Sequence, residues 1–219
     1  MIKIDKTDVF GWESAIRGMR NPLNSWNKSD SAFGMTEDCR AETLSAWVRL
    51  GENDLKLMKT LAKAGPDHGK FLRYINVTVD INAPLYWWKE FDTYKVGTVA
   101  NSCSTMHKLT HKQFELDDFS HDKLNRDGRE ILKALIYSLN AWRDIYLEDK
   151  DKESWWQMIQ LLPSSYNQKR TVQLNYQVLK SMYFARRHHK LDEWHDFCAW
   201  CETLPYFKEI CIQESDKNE

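Results

Sequence analysis

The stretch that decides the fold is Arg73-Tyr74-Ile75-Asn76-Val77-Thr78-Val79-Asp80-Ile81-Asn82-Ala83-Pro84-Leu85-Tyr86-Trp87-Trp88-Lys89-Glu90-Phe91, residues 73–91. Its first half alternates, with β-branched Ile75, Val77, Val79 and Ile81 on one face, which is the period of a half-buried strand over 73–81. Asn82 then reads as a helix N-cap and Pro84 fits a first helical turn, so the same stretch predicts a helix through about Tyr94.

Working outward, helical spacing dominates. Residues 36–50 and 53–64 are read as helices; in the second, Leu55, Leu57, Met58, Leu61 and Ala62 recur on one face and Gly65-Pro66 supplies the stop. Downstream, helices are expected over 126–147, 152–162 (capped by Asp151 and ended at Pro163), 171–187 and 191–204. Residues 1–35 read as irregular. There Arg17, Arg20, Asn21, Asn24, Ser25, Asn27 and Ser29 form a polar run that favours turns over helix interiors. Residues 213–219 read as a frayed polar tail. One strand among many helices excludes a doubly wound parallel sheet and predicts an α+β fold, mostly helical with a small antiparallel or mixed sheet, in a single domain over residues 1–219.

Composition narrows the function classes. The 219 residues carry 31 Lys plus Arg against 32 Asp plus Glu, a net charge of −1, which argues against a general nucleic-acid binder. Ten Trp with only 8 Gly and 5 Pro suit a thick core or a large subunit interface. Neither a Walker loop nor a GxGxxG motif occurs, so both glycine-based phosphate routes are closed. No apolar leader or bilayer-length segment is visible, and the odd set Cys39, Cys103, Cys198, Cys201 and Cys211 suits reduced thiols; a cytoplasmic location is expected, with no membrane partner.

Two clusters bear on chemistry. His195, Cys198 and Cys201 step by three along a predicted helix, without the Gly or Pro knuckle of a structural zinc site, so they read as packing residues and no metal is expected. The second cluster runs from Lys95 through Gly97-Thr98 and Asn101-Ser102-Cys103-Ser104-Thr105 to His107. Small hydroxyls, an amide, a Lys and a His in so short a span suit an anion cradle, against the plainer reading of a solvated loop. Ser164 to Arg170 reads by itself as the capped start of the 171–187 helix.

The order of these elements resembles the flavin-dependent thymidylate synthases (ThyX). LKLMKTLAKAG, PDHGKF, INVTVDI and APLYWWKEFDTYKVGT follow the family's helix, polar turn, strand and signature loop over residues 55–104. Leu162-Pro163 with Asn175-Tyr176-Gln177-Val178-Leu179 through Arg186 resembles its later "LP…NxRxL…R" pattern. The letters depart more than the order does. Against the family's RQWxRHRxxSxNxxSxRY, Lys89-Glu90-Phe91 stands for Arg-Gln-Trp and Thr93-Tyr94-Lys95 for Arg-His-Arg. Thr98, Asn101 and Ser104 stand for Ser, Asn and Ser, with one residue inserted; Met106 replaces the phosphate-binding Arg and His107 the Tyr. Arg73-Tyr74 stands for an upstream Glu-His pair, and Gln177 for the nucleotide-contacting Arg.

The resemblance implies a homotetramer with ligand pockets shared between subunits, lined by Lys89, Tyr94, Lys95, Thr98, Asn101, Ser104, His107, Arg170 and Asn175, with Arg17 and Arg20 as additions. Lys, Met and Gln do not reproduce bidentate guanidinium contacts, each worth about 1.5–3 kcal/mol. The expectation is therefore a ThyX-fold protein that has lost flavin-dependent thymidylate synthesis, carries no flavin, and binds a nucleotide-like ligand. The alternatives are a divergent FAD-dependent enzyme methylating dUMP, and a non-catalytic nucleotide-sequestering protein of the kind found in phages and prophages.

Overall fold

The computed structural model describes residues 2–38 and 43–212. The chain runs β1 (Lys3–Phe10), α1 (Trp12–Arg20), β2 (Ala32–Asp38), β3 (Thr43–Arg49), α2 (Glu52–Lys63), β4 (Asn76–Pro84), α3 (Leu85–Phe91), β5 (Val99–Ser102), α4 (Thr105–Lys108), α5 (Arg126–Asp149), α6 (Lys152–Leu161), β6 (Asn167–Asn175), α7 (Tyr176–Arg186), α8 (Asp192–Cys201) and α9 (Phe207–Cys211). A four-stranded sheet has the order β1-β4-β6-β5, and β2 pairs with β3 in a separate two-stranded sheet. This is the α+β, largely helical architecture expected from the sequence.

The chain divides into two compact units, one formed by Met1–Asp5, Asp80–Lys95 and Ala100–Val172, the other by Lys6–Val79, Val96–Val99 and Gln173–Glu219. In the first unit α5 and α6 pack around Leu132, Leu139 and Met158, with Leu109, Phe114 and Phe119 closing the cluster. Both helices are capped as their sequences dictate. The Asn125 side chain accepts from Gly128 N at 2.8 Å and that of Asp151 from Ser154 N at 2.8 Å. Asn140, near the middle of α5, fixes the extended segment at Phe114 by accepting from its N–H (2.8 Å) and donating to its carbonyl (3.0 Å).

In the second unit the core is aromatic. Trp12, Phe71, Tyr176, Trp194, Phe197 and Phe207 are all buried, and the Trp12 ring meets Tyr176 edge-on at 5.5 Å. Gly11 enters α1 at φ +92°, and a Cβ there would lie 2.0 Å from the Tyr74 carbonyl oxygen, so only glycine fits this close approach.

Several expectations give way here. Residues 3–20 are not irregular: they form β1 and α1, with Trp12, Ala15, Ile16 and Met19 buried at helical spacing, whereas residues 21–31, with Asn21, Asn24, Ser25, Asn27 and Ser29, are the turns expected of them. The helix expected over 36–50 is instead an antiparallel ribbon, with Phe33 opposite Val48 and Gly34 opposite Trp47. Its alternation of small and large residues suits a pleat, and Gly34 leaves the space that the Trp47 indole occupies, since a Cβ there would sit 2.5 Å from the ring. Residues 39–42 of that expectation, and the frayed tail at 213–219, lie outside the described residues.

Asn82 and Pro84 belong to β4, and α3 begins only at Leu85. Residues 171–175 complete β6, so the helix starts at Tyr176 with Asn175 as its cap. In both places pairing within the sheet overrides local capping preference. The run Ser164 to Arg170 therefore leads into a strand. Among the described residues no helix is long and apolar enough to cross a membrane.

Candidate functional site

The loop singled out by the sequence hangs from α3 and β6 in the first unit. α3 buries Trp87, Trp88 and Phe91, which leaves Lys89 on its exposed side. The Trp88 indole N–H donates to the Gln168 carbonyl at 2.8 Å, and the Gln168 amide donates to the Cys103 carbonyl at 2.9 Å. Cys103 N–H in turn donates to the Lys169 carbonyl at 2.9 Å. These bonds hold the start of the segment around Ser104 against β6.

Arg170 completes the frame. Its Nε donates to Gln168 Oε1 (3.0 Å), one terminal nitrogen donates to Asp92 Oδ1 (2.7 Å), and the guanidinium lies 4.2 Å from the centre of the Trp88 ring. Its neighbour Lys169 pairs with Asp80 at 2.9 Å, and Asp80 also accepts from Thr171 Oγ1 at 2.6 Å. The hydrogen bond that Lys169 donates to Asp80 raises its pKa. The two cations of β6 are therefore engaged by carboxylates of their own chain.

Lys89 and Lys95 differ. Both are exposed, and neither has a side-chain partner among the described residues. Asn101 is exposed on β5, Tyr94 and Ser104 are half-buried, and His107 falls in α4.

Thr98 and Asn175 sit in the second unit. The Asn175 side chain accepts from Val178 N at 3.1 Å, so it is spent as the cap of α7. Gly97, at φ +77°, lies against that helix start: a Cβ would be 3.1 Å from Val178 and 3.2 Å from the Asn175 amide. The Thr98 hydroxyl is buried there without a hydrogen-bond partner among the described residues. Such an orphan is a common mark of a place where a ligand or water completes the bonding.

Arg20, offered as an addition, is not available to a ligand through its charge. It is 4% exposed and donates from Nε to the fully buried Asp54 at 2.7 Å, and its terminal nitrogens reach the carbonyls of Ser25 (3.2 Å) and Lys28 (3.0 Å). Asp54 Oδ2 also accepts from Ser29 Oγ (2.8 Å), Ser31 Oγ (2.7 Å), and the N–H groups of Asp30 and Ser31 (3.1 Å each). Burial pushes the Asp54 pKa up, but the hydrogen bonds from Ser31, Ser29, Arg20 and Asp30 outweigh it and hold the carboxyl below its ordinary range. Arg17 is exposed on the wall of an apolar hollow of about 480 Å³ that also contains Ile16, Trp26 and Phe33.

A larger cavity, about 790 Å³, was not anticipated from the sequence. It lies in the second unit between the end of α1, the loop after it, α2 and the turn at 67–74. The only signal was the amide-rich run Asn21, Asn24 and Asn27, which reads equally well as turn formers.

Cys198 and Cys201 are core residues, 5% and 0% exposed, as their helical spacing predicts. Burial pushes the Cys198 and Cys211 thiols up to about 12, and Cys201 well above its ordinary value. Among the described residues no group of three or more His, Cys, Asp or Glu side chains is placed to hold a metal ion.

No family model and no curated protein matches the sequence. Solved structures do match. Thymidylate synthase X (ThyX) from Helicobacter pylori, crystallised with FAD and dUMP, superposes with a TM-score of 0.69 over 99% of this chain and 100% of that one, at 16% identity. A second structure of the H. pylori enzyme complexed with FAD and dUMP gives 0.66 over 95% and 98%, again at 16% identity. The chain thus has the fold of the flavin-dependent thymidylate synthases, at an identity that establishes the architecture and leaves the chemistry to its own side chains.

Proposed function

We propose that this is an oligomeric ThyX-fold protein that has lost flavin-dependent thymidylate synthesis and binds a nucleotide-like ligand in a pocket between subunits. The observation that carries the reading is the commitment of Arg170. A guanidinium that pairs with Asp92, bonds Gln168 and covers Trp88 is holding the scaffold together. With Lys169 engaged by Asp80, the stretch from α3 to β5 keeps Lys89 and Lys95 as cations without a partner among the described residues.

Two exposed ammonium groups suit one phosphate or two adjacent phosphate oxygens. They do not fit FAD, whose diphosphate and ring system must be clamped to place the reacting atom, because a Lys is a flexible point charge without the bidentate fork of Arg. In the proposed site Lys89 and Lys95 neutralise the ligand's phosphate, Asn101 and Ser104 hydrogen-bond its sugar or phosphate oxygens, Tyr94 stacks or donates its hydroxyl, and His107 lies within the same segment. The buried, unpartnered Thr98 hydroxyl is in keeping with a ligand-facing role for the intervening turn.

A thermal-shift panel of mono-, di- and cyclic nucleotides tests the reading. Stabilisation by at least one nucleotide, without turnover, is expected, and it should fall in a Lys89→Ala/Lys95→Ala variant. No shift with any of them sinks it. Assembly is tested by size exclusion with light scattering: a tetramer is expected, and a monomer removes the shared pocket.

A further inference from the structure

A hollow of about 530 Å³ in the second unit opens between the end of β1, the start of α1 and the β2–β3 ribbon, and its volume lies within the range of small-molecule sites. Its wall is aromatic. Phe10, Phe33 and Trp47 line it while remaining 38%, 38% and 44% exposed, beside buried Trp12. Rings of the core are paired, as Trp12 is with Tyr176 and Tyr206. Phe10, Phe33 and Trp47, by contrast, make no ring contact with one another or with a further ring among the described residues, and no cation of those residues covers them. Three large rings thus share one hollow without collapsing on each other, an exposed apolar cluster of the kind that marks a binding surface.

The charge of the lining is one-sided. Glu13 is its one charged side chain, and no Lys or Arg accompanies it there. Glu13 is exposed and has no partner among the described residues; Arg17, one turn further along α1, lines the neighbouring hollow and forms no ion pair with it. The first turn of a helix carries roughly half a positive charge, which a full carboxylate outweighs, so the hollow is net negative. Its frame is fixed by close approaches: Gly34 makes room for the Trp47 indole, and Gly11 sets the entry of α1 beside Phe10 and Trp12. A primary ammonium is strongly hydrated, whereas a quaternary ammonium is a cation with an apolar surface, attracted at once by ring faces and by a carboxylate. From this juxtaposition we infer that the hollow binds a small organic quaternary ammonium compound, with its trimethylammonium group among Phe10, Phe33 and Trp47 and its charge balanced by Glu13. The inference does not rest on the reading of the 89–107 segment, whose ligand is an anion, and it stands if that reading fails.

Isothermal titration calorimetry of the full chain tests it, with choline and phenyltrimethylammonium as probes. The controls are the neutral tert-butyl analogue of choline, which keeps the shape without the charge, and ethanolamine, which keeps the charge without the methyl groups. Saturable binding of at least one probe is expected, with both controls weaker by about fivefold or more. Trp47→Leu, which keeps apolar bulk and removes the indole face, and Glu13→Gln, at an exposed position, should each weaken it about threefold or more, with the fold checked by circular dichroism. Phe33→Leu replaces Trp47→Leu should the latter lose its native spectrum. Lys89→Ala/Lys95→Ala should leave binding unchanged. The inference is overturned if neither probe binds, if either control binds as tightly as the probes, if a folded ring variant or Glu13→Gln binds like the natural protein, or if the Lys89/Lys95 change abolishes binding. It is also overturned if a trimethyl-lysine peptide or phosphatidylcholine vesicles bind about tenfold more tightly than the probes, which would assign the surface to a protein or a membrane.

Discussion

Asp54→Asn is the substitution with the most to teach. The side chain keeps its shape, but the carboxylate that accepts five hydrogen bonds, from Arg20, Ser29, Ser31 twice and Asp30, loses its charge. All four partners of Oδ2 are donors, so an amide nitrogen turned that way meets four of them, and turned the other way it faces the Arg20 guanidinium. Arg20, itself 4% exposed, is left without a counter-charge. Removing one partner of a buried pair costs about 3–5 kcal/mol. In a chain of this length that corresponds to roughly 6–20 °C in melting temperature.

Urea unfolding should show the midpoint falling with the slope unchanged. The paired replacement Arg20→Met/Asp54→Leu should recover only the part owed to the stranded charge, since the donors of Ser29, Asp30 and Ser31 still lose their acceptor. The pH dependence has a defined sign. The Asp54 pKa is depressed in the folded state, so its contribution is fully present above the ordinary carboxylate value near about 4 and disappears as pH falls through the lower folded value. The gap between the natural protein and Asp54→Asn should therefore close in acid. A loss below about 1 kcal/mol at neutral pH, or a gap unchanged in acid, would refute the reasoning.

Other outcomes follow from the same geometry. Arg170→Ala should destabilise the protein by about 1–3 kcal/mol, since it removes the Asp92 and Gln168 contacts and the Trp88 stacking, while leaving nucleotide stabilisation of the refolded protein largely intact; a variant of normal stability that has lost ligand would reverse the roles assigned here. Cys198, Cys201 and Cys211 should resist thiol reagents in the native state and react only on unfolding, whereas exposed Cys103 should label at once, as peptide mapping would show. Gly11→Ala should lower the melting temperature by several degrees, because the position needs both a positive φ and the absence of a Cβ beside the Tyr74 carbonyl; an unchanged midpoint would contradict that packing.

Much of the helical scaffold was legible because its signals are local. α2, α5, α6 and α8 each carry an apolar face at helical spacing, and Asp151 announces α6 through a cap that the structure makes. Strand β4 was legible from its alternation. What was missed depends on partners distant in the chain. The β2–β3 ribbon is set by pairing Gly34 with Trp47, and β6 by its place in the sheet beside β4, neither of which a local window contains. α1 carries its signal in Trp12, Ala15, Ile16 and Met19, but Arg17, Arg20 and the turn-forming residues that follow mask it in a local window.

At the candidate site the residue types were visible and their commitments were not. Arg170 reads as a free cation until Asp92, 78 residues earlier, is found against it, and Arg20 until Asp54 is, 34 residues later. Spacing reveals the charge a residue carries. Only the fold reveals whether that charge is already neutralised.

The central claim is that this chain keeps the ThyX architecture without its cofactor chemistry. The most direct measurement is an absorbance titration of the purified, assembled protein with FAD, with and without dUMP, following the visible flavin band. The account predicts a spectrum that is the simple sum of protein and free flavin, with no flavin retained after gel filtration. A saturable shift of that band, or flavin co-eluting in proportion to protein, would contradict it.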